Sequence, residues 1–158
     1  MSIVKNMKQK KRSNCPVNYA LETFGDTWSL LIIRDIVFWG KKTFTDFAAS
    51  KEGISTNILA TRLAYLVDKE VLEKKENVKD KRKSIYTLTE KGLGLIPMML
   101  EMSAWASIHD PDTIAPKKFI EYIFENRNKM FTLITDTVRK GGSLFAGTDC
   151  VMSKIRIS

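Results

Sequence analysis

The hydrophobic period of this chain changes at Val71 and changes back at Thr89. Up to Val67, apolar residues recur at spacings of three and four. Residues 72–78 and 84–88 then read as two strands, the second more clearly, around the charged turn Lys79-Asp80-Lys81-Arg82-Lys83. One hairpin with a basic tip, set among helical segments, makes the expected fold mainly α.

The helical segments have recognisable ends. Pro16 suits the first turn of a helix that carries Val17, Ala20, Leu21 and Phe24 and stops at Gly25. Asp26 or Thr27 caps the next, whose residues Trp28, Leu30, Leu31, Ile32, Ile33, Ile36 and Val37 are apolar nearly all round, so that it is expected in the core. Thr43 and Asp46 have capping-box spacing, with Phe44, Phe47 and Ala48 facing inward. After Gly53, Ser55 caps a helix running to about Glu70. Its expected buried stripe is Ile58, Leu59, Leu63, Leu66 and Val67, and the other face holds Thr56, Asn57, Ala60, Thr61, Arg62 and Tyr65.

Beyond the hairpin, a helix from Thr89 to about His109 carries Leu93, Ile96, Leu100 and Trp105 on one side. Pro97 predicts a kink in it or a later start. Pro116 opens a last amphipathic helix to about Lys140, with Phe119, Ile123, Met130 and Ile134 nearly in register. That stripe needs a partner surface, which assigns the C-terminal helices to dimerisation. Residues 143–158 show no clear period. The expected organisation is a basic arm over 1–13, a domain over 14–110, and a helical extension and tail over 111–158.

The chain has 158 residues and a net charge of +8. A basic chain of this size often meets a polyanion, and placement has to say which. One basic run is Lys5, Lys8, Lys10, Lys11 and Arg12; the other is the hairpin, where Glu73, Glu76 and Asp80 dilute the lysines. No apolar run reaches the length of a membrane span, and residues 1–13 lack the apolar stretch of a signal peptide. Two cysteines, Cys15 and Cys150, make no disulfide framework, and the simplest expectation is a cytoplasmic protein.

The order helix, helix, turn, helix, basic hairpin, helix is that of a winged helix-turn-helix. A major groove admits one helix, which needs an apolar face to anchor it and a short polar face to read bases. Residues 55–69 have both. Ser55, Thr56 and Asn57 on the first turn can bond phosphates or base edges, Thr61 lies on the same polar face, Arg62 can reach guanine or a phosphate, and Tyr65 the backbone or the wing. No acid occurs from 55 to 67. Lys81, Arg82 and Lys83 are placed to touch flanking backbone or the minor groove.

Several stretches carry a family resemblance. Cys15-Pro16-Val17, Ala20-Leu21, the run from Gly25-Asp26-Thr27-Trp28 to Arg34-Asp35, Phe44-Thr45-Asp46-Phe47, Gly53-Ile54-Ser55, Leu59-Ala60-Thr61-Arg62-Leu63 and Tyr86-Thr87-Leu88-Thr89-Glu90-Lys91-Gly92 together resemble the HxlR-type regulators, which are related to the MarR type. The resemblance covers about residues 14–108. It implies a homodimeric transcription regulator, paired through its outer helices, that binds double-stranded DNA at an inverted-repeat operator and is more often a repressor. An oxidant or a small molecule is a candidate effector, and no cofactor is expected. Residues 111–158 depart from the pattern. A winged-helix module that binds an acidic protein and only grazes DNA is the alternative.

Two readings of Cys15 stand side by side. Neighbouring cations favour a reactive thiolate, and some members of the family sense oxidants with a cysteine here; a small apolar residue packed at a helix start is the other reading. His109 is the sole histidine, so neither a metal cluster nor a Ser-His-Asp site is expected. Met98, Met99 and Met102 read as core or dimer interface, and Arg34-Asp35 as a local ion pair. Phosphate-loop, dinucleotide and zinc-protease motifs do not occur, so no enzyme is expected.

Overall fold

The computed structural model of the protein describes residues 12–155. The lysines of the N-terminal run, Lys5, Lys8, Lys10 and Lys11, lie outside the described residues. Helices α1 (Pro16–Phe24), α2 (Thr27–Trp39), α3 (Phe44–Ala48) and α4 (Thr56–Asp68) come first. The hairpin β1 (Leu72–Glu76) and β2 (Ser84–Leu88) follows, and then α5 (Glu90–Leu93), α6 (Ile96–His109), α7 (Lys117–Glu125), α8 (Arg127–Arg139) and α9 (Val151–Lys154). The strands pair antiparallel from Leu72 opposite Leu88 to Glu76 opposite Ser84, and Thr43 adds an isolated bridge to Ile85.

Local chemistry sets the ends of α2, α3 and α4. Asp26 caps α2 by accepting from the Ser29 amide, and Gly40, at φ +66°, closes it in the left-handed conformation that lets Lys41 N reach Asp35 O. The capping box of α3 is complete: Thr43 accepts from the Asp46 amide, and the Asp46 carboxylate accepts from the Thr43 amide at 2.8 Å. At the end of α4 the left-handed residue is Glu70 (φ 58°), and Val71 N bonds Leu66 O as in a Schellman motif. Gly92 is required by close approach, because a Cβ there would stand 2.2 Å from the Val71 carbonyl. That contact seats α5 against the α4–β1 junction.

Helix α2 runs through the core, with Ile32, Ile33, Ile36 and Val37 buried against Leu59, Leu63 and Leu66 of α4 and Phe47 of α3. One expectation fails on α1, and Pro97 marks the later helix start that the sequence allowed. Val17 and Leu21 face solvent, and Thr23 is the buried residue of α1. Residues 89–109 form two helices, α5 and α6, with Pro97 in the first turn of α6, where its missing amide costs nothing. Trp105 points outward, 65% exposed, and stacks on His109.

The expected helix over 116–140 is two helices. Asn126 interrupts it: its backbone leaves the helical region at φ −110° and ψ 32°, while its main-chain and side-chain amides both donate to the Tyr122 carbonyl, at 3.1 and 3.0 Å. The stripe assigned to a dimer partner is covered within the chain. Phe119, Ile123, Met130 and Ile134 are buried in the same cluster as α2 and α6. Residues 143–155 are ordered by tertiary contacts instead of a period. Leu144 N and Phe145 N donate to the carbonyls of Val37 and Phe38, satisfying the C-terminal end of α2, and Leu144 and Val151 are fully buried.

Candidate nucleic-acid interface

Helix α4 packs on the core through Leu59, Leu63 and Leu66. Ser55 caps it, accepting from the Ile58 amide. The exposed residues are Ser55, Thr56, Asn57, Ile58, Ala60, Thr61, Ala64 and Asp68. Three residues of the helix proper, Ile58, Ala64 and Asp68, fall outside the sequence-derived polar face. Ile58, expected in the buried stripe, is 40% exposed. The signal was in the spacing, since Ile58 lies roughly 100° around the helix from the Leu59–Leu63–Leu66 row.

The structure brings Ser55, Thr56, Asn57 and Thr61 together on one outward surface, and it occupies the larger polar side chains. The Thr61 hydroxyl donates to Asn57 O at 2.9 Å. Arg62 sits on the flank, its Nε 3.2 Å from Asp26 Oδ1 at the start of α2. The Tyr65 hydroxyl donates to the main-chain carbonyl of Glu22 in α1, and Lys69 Nζ lies 5.3 Å from its ring centre. Tyr65 therefore bonds α1.

The turn before α4 is held by charge. The Asp35 carboxylate is buried and accepts from Arg34 Nε at 3.0 Å, from Lys41 Nζ at 2.9 Å and from the Ser50 hydroxyl. Arg34 also reaches Glu52, with Nη2 3.1 Å from Oε2, and this bond holds the Glu52 carboxyl at about 2, well below its usual 4.5. Arg34 and Asp35 thus make the local pairs expected of them. The effect is to fix the α3–α4 turn on α2 and hence the direction in which α4 leaves it.

The wing tip is a built turn. The Lys79 amide donates to Asn77 Oδ1 at 2.9 Å, and the Asp80 carboxylate accepts from the Arg82 amide and from Arg82 Nε at 3.1 Å. Arg82 holds the Asp80 carboxyl below its usual range. Lys83 Nζ lies 3.9 Å from the same carboxylate, and the exposed Lys81 makes no ion pair among the described residues.

Cys15 is exposed at the start of α1 and caps no amide, whereas Cys150 is buried. Met99 is core, Met98 packs beside it and Met102 is exposed. No group of His, Cys, Asp and Glu able to hold a metal ion occurs among the described residues, and none of their helices is long and apolar enough to cross a membrane.

A capped helix with an outward face, seated on two helices beside a charged hairpin, is the geometry of a winged helix-turn-helix. The profile of the HxlR-like helix-turn-helix family matches residues 23–113. The chain belongs to this family. Among the relatives of this HxlR-type protein, the HTH-type transcriptional regulator YodB of Bacillus subtilis is 38% identical over 93 residues, 58% of this chain and 82% of YodB. The crystal structure of PA1607, described as a transcription factor, superposes with a TM-score of 0.59 at 36% identity, covering 65% of this chain and 72% of that one. The redox regulator HypR in its oxidized form shares the fold, with a TM-score of 0.54 at 24% identity over 63% of this chain and all of HypR. The family and these neighbours are transcriptional regulators, not enzymes, and the HxlR-type chain described here is a helix-turn-helix regulator.

The family boundary divides the charge unexpectedly. Residues 23–113 carry thirteen Lys or Arg and thirteen Asp or Glu; residues 1–22 and 114–158 each carry an excess of four positive charges. The winged domain is neutral as a whole, with a basic hairpin in it. General attraction to a polyanion therefore has to come from the hairpin and from the two flanking segments.

Proposed function

We propose that the protein is a homodimeric, sequence-specific repressor, with α4 in the major groove and the wing on flanking backbone or minor groove. The observation that carries this reading is the outward face of α4, free of acids from 55 to 67, held by the Asp35 network beside a basic hairpin. Ser55, Thr56, Asn57 and Thr61 face the groove, Arg62 meets phosphate from the flank, and Lys81, Arg82 and Lys83 supply attraction that is blind to sequence. Tyr65 acts by holding the helix in place.

The second copy docks on α1 and α6. Val17 and Leu21 on α1, and Met102, Trp105 and Ile108 on α6, leave large apolar surface in water; Ile108 is 78% exposed. Large apolar side chains exposed on one helix in this way mark an association site. Two-fold symmetry then requires an inverted-repeat operator with half-sites about 34 Å apart or a multiple of it.

Selection of bound sequences from random DNA with the full chain tests the function. An enriched inverted repeat, protected upstream of the gene, is the expected result. No enrichment would sink it and favour the protein-binding module. Loss of the dimer in Trp105→Glu, read by sedimentation, tests the interface. For the sign of regulation, gene deletion should raise transcription from the bound promoter.

Oxidant control through Cys15 belongs to the same proposal, supported by its exposure at the end of a helix assigned to dimerisation. Cys15→Ser should abolish the change in operator affinity that wild type shows after hydrogen peroxide. An unchanged response would remove Cys15 from the mechanism.

A further inference from the structure

Helix α4 has an unusual balance of free and committed groups. Of its polar side chains near the groove, Thr61 bonds Asn57 O, Arg62 is paired with Asp26, Tyr65 with Glu22 O, and Ser55 accepts from the Ile58 amide. The hydroxyl of Thr56 and the carboxamide of Asn57 are exposed and have no partner among the described residues, and of the two only the carboxamide offers a paired donor and acceptor. Around it stand methyl groups: Ile58, 40% exposed, with Ala60 and Ala64 also outward.

The base edges in the major groove say what such a surface can read. Adenine presents N7 and N6–H₂, which a carboxamide matches with two hydrogen bonds. Thymine presents a 5-methyl group, the one apolar feature of any base edge there. Guanine is read bidentately by Arg or Lys and cytosine by a carboxylate, whereas hydroxyls such as those of Ser55, Thr56 and Thr61 contact bases without selecting one. Residues 55–67 hold no carboxylate, and their one cation, Arg62, is drawn to the flank by Asp26. We infer that α4 reads adenine–thymine pairs, with Asn57 on adenine and Ile58 on a thymine methyl.

This inference rests on the DNA-binding function proposed above, and a chemical scan of the selected site separates the two. Each thymine is replaced in turn by deoxyuridine, which lacks only the methyl, and each adenine by 7-deazaadenine, which lacks the N7 acceptor. Wild-type protein should lose about fourfold in affinity for a methyl removed beneath Ile58, as expected for one buried carbon. Ile58→Ala should become indifferent to deoxyuridine at that position, and Asn57→Ala indifferent to 7-deazaadenine at its own. Ile58→Val, which keeps a branched methyl, should retain sensitivity, and the wild-type scan stands whatever the stability of the variants. Guanines at the α4 positions, or a wild type indifferent to every deoxyuridine, would overturn the inference and leave the regulator standing. Deoxyuridine sensitivity that survives in Ile58→Ala would overturn the role of Ile58. No selected site would overturn both.

Discussion

The hydroxyl of Tyr65 donates to the main-chain carbonyl of Glu22, tying α4 to α1. Helix α1 also carries the exposed Val17 and Leu21, so in the proposed dimer this bond links the docking surface to α4. Tyr65→Phe keeps the ring and removes the tie. The expected loss is about 1 kcal/mol in urea unfolding, the net worth of one hydrogen bond. Operator affinity should fall without a change in its salt dependence, since no cation is lost; an altered salt slope would contradict this role.

The pairing of Arg62 with Asp26 revises the guanine contact open to Arg62 in the sequence. An arginine held on the flank at 3.2 Å from a carboxylate can still offer its terminal nitrogens to a phosphate. Arg62→Ala should therefore weaken operator and random DNA by the same factor, and lower the salt slope by about one phosphate contact. Titrations on both DNAs at several salt concentrations measure this. A loss confined to the operator would return Arg62 to the bases.

What the sequence disclosed, and what it did not, follows from the range of the forces involved. The caps of α2, α3 and α4 are legible because Asp26, Thr43 with Asp46, and Ser55 act on amides within three residues. The basic hairpin is legible from its period and turn. The commitments of Arg62 and Tyr65 are not, because their partners lie 36 and 43 residues away, on other helices. The break at Asn126 is hidden because no glycine or proline marks it. Leu144 has no periodic neighbours at all; its place is set by backbone bonds to α2.

Glu52 gives a prediction in pH. Its bond to Arg34 depresses the folded carboxyl to about 2, from 4.5. A depressed carboxyl contributes stability that is complete above its unfolded value and is lost as pH falls through the folded one. The stability difference between wild type and Glu52→Gln should thus be flat above about pH 4.5 and shrink toward pH 2. Glu52 is partly exposed, so the plateau should be about 1 kcal/mol or less. Thermal melts of both proteins across that window give the difference curve. A difference that grows on acidification would exclude the Arg34 bond as its source.

The extension should be inseparable from the domain it follows. Leu144 is fully buried, and its amide and that of Phe145 satisfy the last carbonyls of α2, the helix at the centre of the core. Phe145 also places its ring 5.4 Å from both Trp39 and Phe119, joining the end of α2 to α7. Leu144→Ala leaves the backbone bonds and opens a cavity, which should cost about 2–5 kcal/mol in chemical denaturation. Truncation after Asp110 goes further, uncovering the core face of α6 and the end of α2. The expected product is an unfolded or aggregating chain, seen as loss of a cooperative melt. A truncated chain that melts cooperatively and still dimerises would show that the winged domain folds alone and that the extension only leans on it.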